Sequence, residues 1–135
     1  MNARIKHLKN QKGLTLIELL AVIVVLGIIA AIAVPSVAGV IERAKINADH
    51  GSYQIIKDAG LRYALAENVT EVTQISVDDL VTKGYLNEVP EVQSSKIENF
   101  GFIEVDLINN KYSVKVFQGT IQNRGDEITD ATFEN

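Results

Sequence analysis

The sequence has no cysteine, no tryptophan, only two prolines and only two histidines among its 135 residues. The lack of cysteine excludes a disulfide framework and a thiolate metal site, so packing alone must hold the fold. His7 and His50 do not have the spacing of a metal-ligand pair, and no nucleophile can be matched with a base. The sequence therefore predicts a protein that is not an enzyme and that has no cofactor and no metal.

Acidic residues are missing from the first 13 positions, which contain four basic residues and carry a charge of +4: Arg4, Lys6, Lys9 and Lys12. The whole chain has a net charge of −4, so residues 14–135 carry −8. A basic flank beside an apolar segment predicts that this end stays in the cytoplasm. The −8 balance argues against direct nucleic-acid binding, which relies on basic residues that neutralise phosphates.

One long apolar run follows the basic segment. Between Leu14 and Val34 only Thr15 and Glu18 are polar. A helix rises about 1.5 Å per residue, so this run is about 30 Å long and matches the hydrocarbon core of a bilayer. The open question is why a membrane-length segment carries one carboxylate near its start.

Three explanations of Glu18 are possible. A signal peptide fits the Ala-x-Ala pattern at residues 31–33, but its apolar region is normally shorter and lacks an acid. A simple membrane anchor explains the length of the run. It does not explain the acid, because an ionisable residue inside a membrane span costs roughly 2.5–3.5 kcal/mol. Cleavage between Gly13 and Leu14 would create an α-amino group one helical turn before Glu18, and this amine on one subunit could pair with the carboxylate of a neighbour.

The apolar pattern predicts one long helix from Leu14 to about Ala66, with Asn68 as its end. Pro35 lacks an N–H and is expected to kink or open the helix near Ala31. Beyond the membrane-length part, the spacing predicts one apolar face that packs on the rest of the protein: Val37, Ile41, Ala44, Ala48, Ile55, Ala59, Tyr63 and Ala66. Charged residues fall between them: Glu42, Arg43, Lys45, Asp49, Lys57 and Arg62.

The sequence after the long helix predicts a small α+β head. Ser76 is expected to cap a short helix over about Val77–Lys83, with Gly84 at its C-terminal end. A hairpin is predicted over 102–117, with a two-residue turn at Asn109 and Asn110. Its register places three apolar pairs on one face (Leu107–Tyr112, Val105–Val114 and Ile103–Val116) and two polar pairs on the other (Glu104–Lys115 and Asp106–Ser113).

The C-terminal part has the weakest pattern. Residues 120–122 are interpreted as a third strand, and the final stretch, residues 126–135, as an exposed, partly mobile end. An acidic run, Asp126, Glu127 and Asp130, lacks the spacing of an EF-hand calcium loop. A solvated surface explains this run better than an ion site.

The stretch "KGLTLIELLAVIVVLGIIAAIAVP" resembles the prepilin signature of type IV pilins and of type II secretion pseudopilins. A basic leader ends in Gly13, a large apolar residue follows at Leu14, Glu18 is the fifth residue after the cut, and Pro35 lies where these helices carry a proline. The family most often has Phe directly after the cleavage site, and Leu14 departs from this. The segment "DDLVTKGYLNEVP" resembles a recurrent stretch in the heads of Gram-positive pilins and pseudopilins.

The resemblance implies a processing and assembly pathway. A prepilin peptidase would cut after Gly13 and methylate the amine of Leu14, and Glu18 would pair with a neighbour's N-terminus. The helix around Pro35 could lose helical structure in the filament. The implied partners are the peptidase, an assembly ATPase, an inner-membrane platform protein and further copies of this chain, which form a homopolymer through their N-terminal helices.

The resemblance also implies an organisation and a location. Residues 1–13 would be the leader peptide, 14–35 the transmembrane and filament-core helix, and 36–135 the head, in a pilin-like α+β fold. The precursor would cross the cytoplasmic membrane once with its N-terminus inside, and the assembled subunit would be extracellular. The leading function is a pilus subunit for adhesion, motility or DNA uptake.

Three rival functions are weighed against the pilus subunit. The first is a major pseudopilin of a type II-like secretion system. Pseudopilins can bind calcium near the C-terminal end, so an ion site at the acidic run would fit this alternative. The second is a DNA-capturing competence pilin, which the −8 balance disfavours. The third, a lone anchored enzyme or sensor, is disfavoured because no catalytic set is found.

Overall fold

The computed structural model describes the backbone of residues 4–134 and the side chains of residues 13–134. Its elements are α1 (Arg4–Ala66), β1 (Thr73–Ser76), α2 (Val77–Thr82), β2 (Phe102–Ile108), β3 (Lys111–Gly119), β4 (Arg124–Ile128) and a 3₁₀ helix (Asp130–Phe133). The chain divides into two units, one up to Ile41 and one from Glu42 onward, and α1 contributes to both.

The long helix is confirmed, and it ends at Ala66 as predicted. Asn68 has a φ of 50°, and the backbone N–H of Val69 donates to the carbonyl of Ala64 at 3.1 Å. This is a Schellman-type end, in which Asn tolerates the left-handed conformation and the buried Val69 packs into the core. At the other end the helix begins at Arg4, although residues 1–13 carry no fold signal in the sequence. Residues 4–12 contain no Pro or Gly and extend a helix that is already nucleated, which costs little.

The head unit is a four-stranded antiparallel sheet in the order β1-β2-β3-β4, covered on one face by the second half of α1. The α+β prediction is therefore confirmed. The hairpin has the predicted register in all five pairs, and Asn109 and Asn110 have φ values of 50° and 63°. Glu104 lies opposite Lys115 as predicted, but its carboxylate contacts Arg124 of β4 at 3.3 Å.

The short helix is also confirmed. The Ser76 hydroxyl accepts the backbone N–H of Asp79 at 3.0 Å, and Gly84 has a φ of +81° at the C-terminal end. The backbone N–H of Tyr85 donates to the carbonyl of Leu80 at 2.9 Å, which completes the C-cap. Leu80 is fully buried, so these caps fix a helix of only six residues on the core.

The predicted buried face of α1 is wrong over most of the head. Ile55 is 54% exposed, and Ala44, Ala48 and Ala66 are also exposed. The buried side chains are Ile46, Asp49, Tyr53, Ile56, Ala59, Tyr63 and Ala64, so only Ala59 and Tyr63 were assigned correctly. The observed buried face is rotated relative to the predicted one. The prediction followed apolar residues only and so left out the carboxylate of Asp49, which is buried within the observed face.

The C-terminal predictions are wrong as well. Residue 120 has no regular structure, residues 121–123 form a bend, and the next strand is β4, so the stretch 120–122 is no strand. The segment predicted to be a mobile end is structured, since Ile128 is 1% and Phe133 8% exposed. Strand β1, which pairs with β2, was not predicted because four residues carry too short a pattern.

Gly60 lies where α1 comes closest to the sheet. A Cβ atom at this position would lie 2.6 Å from Ile103 Cδ1 and 2.8 Å from Val114 Cγ1. Gly51, on the same helix, has open space around it. The two glycines therefore form a matched pair in which only one is required by packing.

We expect Gly60→Ala to lower the free energy of unfolding by about 1 kcal/mol, because overpacking outweighs the gain in helix propensity. The control Gly51→Ala should raise it by up to about 1 kcal/mol. The measurement is urea denaturation of the full chain in detergent micelles, followed by near-ultraviolet circular dichroism of the tyrosines. Equal stabilisation by both substitutions would contradict the close approach at Gly60.

Candidate assembly surface

The first unit presents an uncovered apolar helix surface. Its large apolar side chains from residue 14 to residue 41 are between 51% and 70% exposed: Leu14, Leu16, Ile17, Leu19, Leu20, Val22, Ile23, Val24, Val25, Leu26, Ile28, Ile29, Ile32, Val34, Val37, Val40 and Ile41. Among the described residues one helix is long and apolar enough to cross a membrane, and its most apolar window has a mean hydropathy of 3.0 and is entirely unburied. A soluble monomer rarely exposes so large an apolar patch.

The predicted processing site lies at the start of this surface. Gly13 and Leu14 are both helical and exposed, and a Cβ atom at Gly13 would meet nothing within 4 Å. Glu18 follows Leu14 by four residues, so the two lie on the same face of the helix, one turn apart. Glu18 is exposed, and among the described side chains it has no ion-pair partner.

Pro35 lies inside α1, and residues 31–35 are helical in this structure. Its missing N–H leaves the carbonyl of Ala31 without the usual helical hydrogen bond. Opening of the helix at Pro35 stays a prediction for the assembled state.

A second polar feature, which sequence reasoning placed on the wrong side, is Asp49. Its side chain is fully buried and accepts three hydrogen bonds: from the backbone N–H of Gln93 at 2.8 Å, the backbone N–H of Ser94 at 2.8 Å and the Ser94 hydroxyl at 2.5 Å. The carboxylate thereby attaches the irregular segment before β2 to the helix. Its spacing from Ile46, Tyr53 and Ile56 follows the three- and four-residue steps of one face, and this spacing could have revealed it.

The members of the acidic run near the C-terminal end contact different parts of the head. Glu127 contacts Lys115 at 3.8 Å across the β3–β4 pair, whereas Asp130 contacts His50 of α1. Over the residues that the structure describes, no three metal-ligating side chains converge. His50, predicted to have no function as a ligand, instead forms a hydrogen bond to Asp130.

Comparison with known proteins identifies two similarities. Residues 8–34 match the model of the prokaryotic N-terminal methylation motif. Over 83 residues the chain is 36% identical to the type II secretion system core protein G of Pseudomonas aeruginosa, an alignment that covers 62% of this chain and 58% of that protein. The chain thus spans little more than half the length of this curated relative. No solved structure matches it.

The matched residues coincide with the exposed apolar surface. The methylation motif covers Gly13, Leu14 and Glu18 and ends at Val34, within one residue of Pro35. The longer similarity to a secretion-system protein exceeds this motif, so part of the head is also shared.

Proposed function

We propose that this chain is a subunit of a filament. The proposal starts from the methylation motif and the similarity to core protein G, which support a place in the type IV pilin and pseudopilin family. The chain is a pilin-like subunit that is cut after Gly13 and polymerises through its N-terminal helix. The observation that carries the proposal is the apolar surface of residues 14–41, which is exposed throughout and interrupted by one carboxylate.

The exposed surface has two favourable environments, lipid and other copies of the same helix. Before assembly the apolar run would cross the membrane, which its length and hydropathy fit. After assembly the same side chains would be covered by neighbouring helices. Burial of apolar area, worth about 25 cal/mol per Å², would then hold the filament core together.

Glu18 supplies the polar contact in this model of assembly. Cleavage after Gly13 creates an α-amino group at Leu14, and a carboxylate in an apolar bundle requires a cation of this kind. The amine of one subunit would meet Glu18 of another, because a neighbouring helix can be shifted along its axis until the two groups lie at the same depth. The pair would neutralise both charges and would also set the axial stagger.

The proposal includes the organisation and partners expected from the sequence. Residues 1–13 act as the leader, 14–35 as the membrane and filament-core segment and 36–135 as the head. A prepilin peptidase processes the precursor in the cytoplasmic membrane, with the N-terminus inside. An assembly ATPase and a platform protein then move it into an extracellular filament.

The direct test is the intact mass and N-terminal sequence of the protein isolated from its native membrane or fibre. A chain that starts at Leu14 with one additional methyl group would support prepilin processing. A start near Val34 would indicate a signal peptide on an exported soluble protein. An unprocessed Met1 in cells that contain the peptidase would overturn the proposal.

A substitution at the cut site gives a second test. We expect Gly13→Leu to leave the +4 leader attached and to stop assembly, because the peptidase must approach the chain closely at this residue. The control is Gly27→Leu, since added side chains at both positions meet open space and neither substitution disturbs the fold. Immunoblots of membranes should show only precursor for the first variant and only cut protein for the second. Normal cutting of Gly13→Leu would contradict the assigned site.

The similarity to a secretion-system core protein favours the pseudopilus over a surface pilus, the reverse of the ranking from sequence alone. Deletion of the chain distinguishes the two. Loss of long surface fibres in electron micrographs would support a pilus. Accumulation of normally secreted proteins inside the cell, with surface fibres unchanged, would support a pseudopilus.

A further inference from the structure

The 3₁₀ helix Asp130–Phe133, here named the strap, is fastened to α1 by side chains rather than by a strand ladder. It follows β4, whose last residue, Ile128, is 1% exposed. The strap's own backbone bonds are local, from the N–H of Thr132 to the carbonyl of Thr129 at 3.0 Å and from the N–H of Glu134 to the carbonyl of Ala131 at 3.3 Å. Its attachment to α1 therefore depends on two side chains, Asp130 and Phe133.

Asp130 provides the polar half of the attachment. Its Oδ1 atom accepts hydrogen bonds from Nε2 of His50 and from Nε2 of Gln54, each at 2.9 Å. The two donors lie one turn apart on α1, so they form a fork around one carboxylate oxygen. A neutral imidazole protonated on Nε2 can donate this bond, so the fork does not require a charged His50.

Phe133 provides the apolar half and is 8% exposed. Its ring lies 5.1 Å from the ring of His50 and 5.6 Å from the ring of Tyr53, measured between centroids. Tyr53 in turn has the ammonium group of Lys57 5.1 Å from its ring centre. Offset aromatic contacts of this kind stabilise the packing beyond the effect of buried area alone.

The charged groups around the strap favour an ionised Asp130. From α1 it is faced by His50 and Lys57, and from the segment before β2 the Lys96 ammonium donates to the carbonyl of Glu134 at 3.4 Å. The hydrogen bond from His50 lowers the pKa of Asp130 below its ordinary value, partial desolvation opposes this, and the charge of Lys57 adds to the lowering. The carboxylate is thus bound more tightly than the carboxylic acid.

The sign of the pH dependence follows from that depression. A carboxyl group with a lower pKa in the folded state stabilises the fold at pH values above its unfolded pKa, near 3.9 for aspartate. That contribution disappears as the pH falls through the lower, folded value. The strap is therefore strongest near neutrality and weakest in strong acid.

We propose that the strap is an acid-sensitive fastening, which opens from α1 more often when Asp130 is protonated while the sheet and the rest of the core remain folded. The Asp130 side chain is 63% exposed, so protons reach it without unfolding. The sheet, in contrast, is held by backbone ladders and by fully buried apolar residues such as Ile103 and Val116, which do not titrate. This inference concerns the head alone and holds whether or not the chain forms a filament.

Amide hydrogen exchange by NMR on the full chain in detergent micelles tests the proposal. The amides of Thr132 and Glu134 report the strap, and the amide of Gly101, which donates to the carbonyl of Phe117 at 2.9 Å, reports the sheet. Between about pH 6 and about pH 3, strap protection relative to an unstructured peptide should fall by roughly two- to fivefold, the range of an exposed charged contact. Protection at Gly101 should stay constant.

Two variants separate this contact from general acid sensitivity. His50→Phe keeps a ring beside Phe133 and removes one of the two donors to Asp130, so strap protection should be lower than in the natural protein at pH 6 and should fall less between pH 6 and pH 3. Asp126→Asn removes an exposed acid of β4 and should behave like the natural protein. Strap protection that does not change with pH, or that falls together with Gly101, would overturn the proposal. So would an unchanged pH dependence in His50→Phe.

Discussion

Replacement of Glu18 by alanine is expected to leave membrane insertion and cutting after Gly13 intact, and to reduce filament yield by at least about tenfold. The physical reason is the α-amino group that cutting creates at Leu14. In an apolar helix bundle an unpaired ammonium costs roughly 3–5 kcal/mol, the usual effect of removing one partner from a buried ion pair. A tenfold loss of filament corresponds to only about 1.4 kcal/mol. This is less than the cost of the unpaired ammonium, so the expected tenfold reduction is a lower bound.

Two further variants make the Glu18 experiment specific. Glu18→Gln keeps the shape and one acceptor but removes the charge, so it should also assemble poorly if the ion pair is what matters. Glu42→Ala removes an exposed acid of the same helix outside the apolar run and should assemble normally. Sheared-filament yield is the measurement, and the amount of cut subunit in membranes is the control. Filament yields for Glu18→Ala equal to those of the natural protein would refute the pairing.

Replacement of Asp49 by alanine is expected to lower the free energy of unfolding of the head by about 3 kcal/mol. The substitution removes the acceptor of three hydrogen bonds. The donors left without a partner are the backbone N–H groups of Gln93 and Ser94 and the Ser94 hydroxyl, which donates to the carboxylate at 2.5 Å. Each buried donor left without an acceptor costs about 1–3 kcal/mol. Among the described side chains no buried polar atom lacks a partner, so this variant would introduce the first such defect.

Matched variants again separate the contact from general effects. Ser94→Ala removes only the hydroxyl and leaves both backbone bonds, so it should cost about 1 kcal/mol. Asp58→Ala removes an exposed acid of the same helix and should change stability by less than about 0.5 kcal/mol. Urea denaturation of the full chain in detergent micelles gives the three values. A loss for Asp49→Ala no greater than that for Asp58→Ala would show that the buried carboxylate does not attach this segment.

The apolar run, the hairpin and the helix caps could be predicted from the sequence because each depends on residues that are close together in the chain. The register from Ile103 to Val116 follows from the two-residue alternation once the Asn109–Asn110 turn is fixed. Ser76 and Gly84 likewise act within one helical turn of themselves. The spacing of Gly13, Leu14 and Glu18, which suggested the assembly surface, is equally local.

Neighbouring residues were therefore enough to predict the apolar helix, its single carboxylate, the hairpin register and both caps of α2. The buried face of α1, the pairing of β1 and β4 with the sheet and the anchoring of Phe133 became visible only in the folded chain. The physical reason is that these features depend on partners far away in the chain. Asp49 can be buried only because backbone donors 44 and 45 residues later reach it, and Asp130 is held by donors 76 and 80 residues earlier. No local pattern of apolar and polar residues contains those partners.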